Sequence, residues 1–241
     1  MTDHQPSRHR FPISIIQQAV WLSHHCPLSS RDVQDLLQER GVEVSHDTLR
    51  EWNITFSPWF ADHLRHRDPR PCSRWHMDEV CTTVGGVRHW LWRAVDEHGV
   101  VLEVLRQRHR DPEAARPFLI RLLGEFHVPE TICTDQLARY GAAIRERPAL
   151  QAVDHQQVIR AARCTTLTLH SHRPTRQHER GQLGFRKIKR TQAFLKLHAR
   201  VTTLQRHTRT TVPAQIRRSH PHQAVQMWRE VGAGGACHPQ D

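Results

Sequence analysis

The chain carries 35 Lys and Arg against 24 Asp and Glu over 241 residues, a formal charge of +11, and its isoelectric point is about 10.5. That length suffices for one medium domain plus a small one, and a positive field of this size favours polyanions, most simply DNA. No apolar run approaches the ~18 residues of a membrane span, and the start Met1-Thr-Asp-His-Gln-Pro has no signal-peptide apolar region, so membrane and secreted classes are excluded and a cytoplasmic, nucleoid-associated protein is expected.

Residues 12–67 read as helices. Ile13, Ile16, Val20 and Trp21 form one apolar stripe that Pro27 stops. Ser29 or Ser30 caps a second helix with Val33, Leu36 and Leu37 at i, i+3, i+4. Gly41 ends it, and Ser45 caps a third helix bearing Leu49, Trp52, Phe56 and Phe60. Two short helices joined by a Gly-containing turn make a helix-turn-helix. His46, Thr48 and Arg50, early on the third helix, would then face a major groove. Residues 68–72, Asp-Pro-Arg-Pro-Cys, form the linker, stiffened by two prolines.

From Ser73 the period changes. A strand-like run to Thr83, a Gly85-Gly86 turn, Val87-Arg-His-Trp-Leu-Trp-Arg-Ala-Val, a second turn at Asp96-Glu-His-Gly99 and Val100-Val-Leu-Glu-Val-Leu make a three-stranded antiparallel meander. Asp111 caps a helix with Pro112 in its first turn and Phe118, Leu119, Leu122 and Leu123 at helical spacing. A strand closing at Asp135, a helix near Leu137–Arg147, a short strand around Ala152–Val158 and a long helix from about Lys189 to Arg206 follow. The order is β-β-β-α-β-α-β-α, an α/β core with a five-stranded mixed sheet flanked by helices.

Asp78, in Arg74-Trp-His-Met-Asp-Glu, and Asp135, closing Glu130-Thr-Ile-Cys-Thr-Asp, stand on two of these strands. Carboxylates at neighbouring strand positions suit two-metal phosphoryl transfer, in which ions about 3.5–4 Å apart stabilise the attacking and leaving oxygens. The strand order, together with Trp75-His-Met-Asp-Glu, Trp92-Arg-Ala-Val-Asp, Thr134-Asp-Gln-Leu-Ala-Arg-Tyr-Gly, His172-Arg-Pro-Thr-Arg, Gly184-Phe-Arg and the Phe194 to Arg209 segment, resembles the compact bacterial DDE transposases of the insertion-sequence-six family, whose core is ribonuclease-H-like. The resemblance implies a transposase that binds element ends in double-stranded DNA and uses Mg²⁺, or Mn²⁺, to cut and join strands. It also implies a homo-oligomer holding two DNA ends. Asp78 and Asp135 are the implied metal ligands and catalytic residues; no small-molecule substrate or organic cofactor is implied.

The family's third carboxylate is a Glu in an Asn-Asn-x-x-Glu run before Ser-His-x-Pro-Thr-Arg. Here the second run is Ser171-His-Arg-Pro-Thr-Arg176, which sets the register, and the first reads Thr165-Thr-Leu-Thr-Leu169. Leu169 has no lone pair for a hard cation. Thr165 and Thr166 replace the asparagines, a pattern of decay, so this copy is expected to be impaired. Among candidate stand-ins, Glu179 lies ten residues on, about 15 Å along a helix and about 80° round it. His170 offers a nitrogen better suited to zinc or copper; Asp154 would approach from the fifth strand; Glu79 alternates to the face opposite Asp78. The alternative reading is a non-catalytic DNA-binding relic or a repressor of the same element.

Six cysteines lack any Cys-x-x-Cys pairing and read as reduced thiols. Of 21 histidines, His24-His25 and His170-Ser-His172 have transition-metal spacing, but the scatter of the rest favours a bland role. Arg186, Lys187, Lys189 and Arg190, then Arg200, Arg206, Arg209, Arg217 and Arg218, make the carboxy-terminal third basic. Phe194, Leu197, Val201 and Leu204 give its long helix an apolar stripe, expected to pack on the sheet with the cations outward. The expected organisation is a helical module over 1–67, a linker over 68–72, the core over 73–208 and a basic, partly disordered tail over 209–241.

Overall fold

The computed structural model describes residues 6, 9–65, 73–135, 138–157, 163–181, 184–206 and 224–232. The chain divides into a helical unit, Met1–Asp68 with Gln177–Gly184 and Lys189–Asp241, and a sheet unit, Pro69–Arg176 with Phe185–Ile188.

The helical unit begins with α1 (Ile13–His25), α2 (Ser30–Gln38) and α3 (His46–Arg65). Local chemistry sets three of these boundaries. Ser29 and Asp32 form a reciprocal capping box, Ser29 Oγ accepting from the Asp32 amide and the Asp32 carboxylate from the Ser29 amide. Gly41, at φ 76°, takes the left-handed conformation that closes α2, with the Val42 amide donating back to Leu37. Ser45 Oγ accepts from the Thr48 amide at 3.2 Å and starts α3.

One apolar cluster joins Ile16 and Val20 of α1, Val33 and Leu37 of α2, and Leu49, Trp52, Phe56 and Phe60 of α3. Leu197, Val201 and Leu204 of α7 (Ile188–Arg206) belong to the same cluster. The stripe expected to lie on the sheet therefore closes the helical core instead. An apolar stripe requires a partner without specifying which one.

Residues 224–232, within the segment read as a partly disordered tail, are also helical. They bury Ala224, Trp228 and Val231 in the helical core, with the Trp228 ring 4.7 Å from Phe60 and 5.2 Å from Trp21. Each large apolar side chain so buried contributes about 1.5–3 kcal/mol. The linker 68–72, Arg209, Arg217, Arg218 and residues 233–241 lie outside the described residues.

The sheet unit comprises β1 (Arg74–Val84), β2 (Val87–Asp96), β3 (Val101–Gln107), α4 (Pro112–Glu125), β4 (Thr131–Thr134), α5 (Ala138–Arg145), β5 (Asp154–Gln157) and most of α6 (Arg163–Gly181). The sheet order is β3-β2-β1-β4-β5. β1 to β3 are antiparallel, and β1, β4 and β5 run parallel. This is the mixed five-stranded ribonuclease-H-like sheet.

Gly85 and Gly86 have φ of 58° and 80°, the double positive φ of a tight two-residue hairpin turn. Asp111 caps α4, its Oδ1 accepting from the Ala114 amide at 2.7 Å. Trp75 and Met77 of β1, Trp92 and Ala94 of β2 and Leu102 of β3 meet Phe118, Leu119 and Leu122 of α4 and Tyr140, Ala143 and Ile144 of α5. Alternation along β1 thus assigns Glu79 to this helix-covered face and Asp78 to the other. The helix that follows β5 is α6, which carries the Ser171 to Arg176 run.

Candidate metal centre

β1 and β4 are parallel, with Arg74 opposite Thr131, Trp75 opposite Ile132 and His76 opposite Cys133. Continuing that register by two residues brings Asp135, directly beyond the end of β4, level with Asp78. One ligand atom each from Asp78, Glu79 and Asp135 lies within 4.8 Å of the others. The two aspartates singled out in the sequence are therefore brought together.

Glu79 is the correction. It alternates to the opposite face, yet its carboxylate joins the same group. β4 pairs with β1 only as far as His76, so the neighbouring edge of β1 is open at Asp78 and Glu79, and side chains from both faces can converge round it. Its oxygens are already engaged: Arg110 Nε donates to Oε1 at 2.6 Å and Tyr140 Oη to Oε2 at 2.9 Å. Burial first, and Glu79 second, push the Tyr140 phenol well above its ordinary value, so it stays a donor. The Arg110 guanidinium also lies 4.0 Å from Asp135 Oδ2 and 4.4 Å from the Trp90 ring centroid, where cation–π attraction helps hold it.

On the face that Asp78 occupies, Arg93 is directly opposite it on β2 and only 2% exposed. Arg93 Nη2 donates to Thr175 Oγ1 of α6 at 3.0 Å. One turn earlier on α6, His172 is 6% exposed, and its Nε2 is 3.8 Å from Asp78 Oδ2. Asp78 Oδ1 accepts from the Glu79 amide at 2.8 Å. Leu169 stands on α6 one turn before His172; the side chains of Thr165, Thr166, Leu169 and His170 lie outside the described residues.

Asp154 is not a substitute ligand. It is exposed, and it pairs in register with Thr131 at the far end of β4, about 13 Å of strand from Asp135. Glu179, further along α6, belongs to the helical unit.

The donor set fits a divalent cation. It consists of carboxylate oxygens within 4.8 Å of one another, the hard ligands that Mg²⁺ or Mn²⁺ takes. Three carboxylates and the Arg110 guanidinium leave about two net negative charges there.

The residues read as DNA contacts stand on α3 and at positions 186–190. Arg50 is exposed, whereas His46 and Thr48 are partly covered. Arg50 Nη1 lies 3.1 Å from Asp47 Oδ1, and Thr48 Oγ1 is 2.9 Å from the Ser45 hydroxyl. Arg186, Lys187, Lys189 and Arg190 are all exposed. Arg110 carried no signal in the sequence, and Arg93, Tyr140 and His172 carried only their place in matching runs and, for His172, its histidine spacing. Tertiary contact alone makes them neighbours of Asp78 and Asp135.

Residues 72–208 match the DDE domain family of IS240-type transposases. The transposase of the insertion-sequence-like element IS431mec from Staphylococcus aureus is 31% identical over 127 residues, covering 53% of this chain and 57% of that protein. The transposase of IS257 in transposon Tn4003, also from Staphylococcus aureus, is 30% identical over the same length, with the same 53% and 57% coverage. The chain thus spans little more than half the length of these curated relatives. Among solved structures, the catalytic core of BIV integrase superposes with a TM-score of 0.44 at 16% identity, covering 64% of this chain and 99% of that one. The HTLV-2 integrase catalytic core in complex with magnesium gives 0.40 at 13% identity, covering 61% and 92%.

Proposed function

The chain belongs to the DDE transposases of the insertion-sequence-six family, and we propose from this premise that its sheet unit is a metal-dependent centre for cutting and joining DNA strands. The observation that carries the reading is the convergence of the Asp78 and Asp135 carboxylates at neighbouring parallel strands. Asp78 and Asp135 would hold Mg²⁺ or Mn²⁺, which supplies charge stabilisation for the attacking and leaving oxygens at phosphorus. Arg110 and Tyr140 hold the Glu79 carboxylate and keep it from drifting among the ligands. Asp78 Oδ1 accepts from the Glu79 amide, which anchors its carboxylate.

The module over 1–67 would recognise element ends through Arg50, His46 and Thr48 at the start of α3. The exposed Arg186, Lys187, Lys189 and Arg190 would contact phosphates and position the duplex without reading it. A homo-oligomer holding two ends, working at the nucleoid, completes the reading.

This copy is read as impaired. Leu169 replaces the third carboxylate, and losing one charged ligand removes part of the electrostatic stabilisation that the metals provide, costing orders of magnitude in rate. The same residue favours the second reading, a DNA-binding protein that occupies element ends without catalysis.

The deciding experiment is strand transfer with linear element ends and Mg²⁺, run on the wild-type chain, Leu169→Glu and Asp78→Ala. Wild-type product near the Asp78→Ala blank, with a measurable gain in Leu169→Glu, is expected. Wild-type activity well above the blank would overturn the impairment. No gain in Leu169→Glu, with end binding intact, would favour the non-catalytic reading.

A further inference from the structure

His172 Nε2 and Asp78 Oδ2 are 3.8 Å apart. That is too long for a hydrogen bond. Two donors each about 2.1 Å from a shared ion sit about 3.0 Å apart at a right angle and about 4.2 Å apart when opposed. The observed separation lies between these two values, a span that a shared cation can occupy. Helical geometry supports the same conclusion. Leu169 and His172 are three residues apart on α6, about one helical turn, and the covered imidazole sits against the Asp78 side of the sheet, 6% exposed.

We propose, building on the metal-centre reading above, that His172 would be the third residue to hold metal in this chain, adding a nitrogen-donor position to the carboxylate position of Asp78 and Asp135. Imidazole is a poor ligand for Mg²⁺ and a good one for first-row transition ions. The substitution at position 169 would then have changed the metal preference of the second position, in favour of Mn²⁺ and its neighbours, as well as lowering the rate in Mg²⁺. Neutral imidazole also brings one negative charge fewer than the carboxylate it replaces, so binding there is weaker for every hard ion.

The test uses the full chain and Mn²⁺ as the probe, with binding followed by the loss of the free-ion electron paramagnetic resonance signal. Pulsed spectra of the bound ion then report any directly coordinated nitrogen. The wild-type chain should bind Mn²⁺ with an imidazole nitrogen modulation. His172→Ala should lose that modulation and about tenfold in Mn²⁺ affinity, with Mg²⁺ affinity changed less than about twofold. Circular dichroism melting of His172→Ala and His172→Asn identifies a variant that retains the fold. The wild-type spectrum decides the question without either. Bound Mn²⁺ with no nitrogen modulation, or modulation that persists in a folded His172→Ala, overturns the assignment. Asp78→Ala serves separately: if it leaves Mn²⁺ binding intact, the Asp78 and Asp135 centre itself is refuted, whereas its loss of binding alongside a nitrogen-free wild-type spectrum removes only His172.

Discussion

Arg110 and Glu79 form a 2.6 Å ion pair inside the group of atoms that brings Asp78 and Asp135 together. The Glu79 side chain is completely buried there, and Arg110 is 23% exposed. Removing the guanidinium would leave a buried carboxylate beside two others, held by the Tyr140 hydroxyl. Arg110→Ala should therefore cost about 3 kcal/mol. Millimolar Mg²⁺ should recover part of that deficit by supplying the missing positive charge. Urea denaturation with and without Mg²⁺ measures both effects, and equal destabilisation in the two conditions would show that no ion reaches Glu79.

His24 and His178 are buried against Phe194 and His198, their rings 4.6 Å and 5.6 Å from Phe194. Burial lowers the His24 pKa to about 3, helped by His178, and lowers His178 to about 4. Both folded values lie below the unfolded value of 6.5, so the unfolded chain binds more protons between about pH 4 and 6.5. The stability of neutral burial is fully present above about pH 6.5 and declines as pH falls toward about 4. The expected slope is about 1.4 kcal/mol per pH unit for each histidine. Denaturation midpoints from about pH 7.5 to 4.5 should fall accordingly, and His178→Phe should flatten the curve.

Gly85 and Gly86 separate two costs in one hairpin. Both have positive φ, but only at Gly85 would an added Cβ meet another atom closely, 2.9 Å from the Arg186 carbonyl oxygen. Gly86→Ala should cost about 1 kcal/mol from backbone strain alone. Gly85→Ala should cost at least about 1 kcal/mol more. Matched thermal melts give the difference, and equal destabilisation would mean the Arg186 backbone yields freely.

Arg50 is 55% exposed and paired with Asp47. Replacing it should reduce preference for a cognate element end more than it reduces affinity for random duplex, whereas Lys189→Ala and Arg190→Ala should weaken both alike. Abolishing one phosphate interaction should lower the salt slope by about 0.9. Competition binding between roughly 50 and 200 mM salt separates the two classes. Equal effects of Arg50→Ala on both duplexes would remove α3 as the reading helix.

Local chemistry was legible in the residues themselves. The Ser29 and Asp111 caps, the Gly41 stop, the Gly85-Gly86 hairpin and the strand order could be read because each depends on neighbours within a few positions. Asp78 and Asp135 could be paired because matching runs place them on strands of one sheet. The missing ligand at Leu169 was equally visible, since a side chain without a lone pair is so in any fold.

Other relationships depend on how distant segments meet. Alternation assigns Glu79 to the face opposite Asp78, and only the early end of β4 opens an edge where both carboxylates converge. Asp154 reads as a nearby acid until parallel register sets it at the other end of β4. The apolar stripe of α7 demands burial but does not name its partner, which proved to be α1 to α3 and residues 224–232. His172 became a neighbour of Asp78 only where α6 meets β1 and β2, as the Thr175 contact with Arg93 also records. Side-chain periodicity and capping are encoded over a few residues, whereas the meeting of atoms from separate strands and helices is decided by packing of the whole unit.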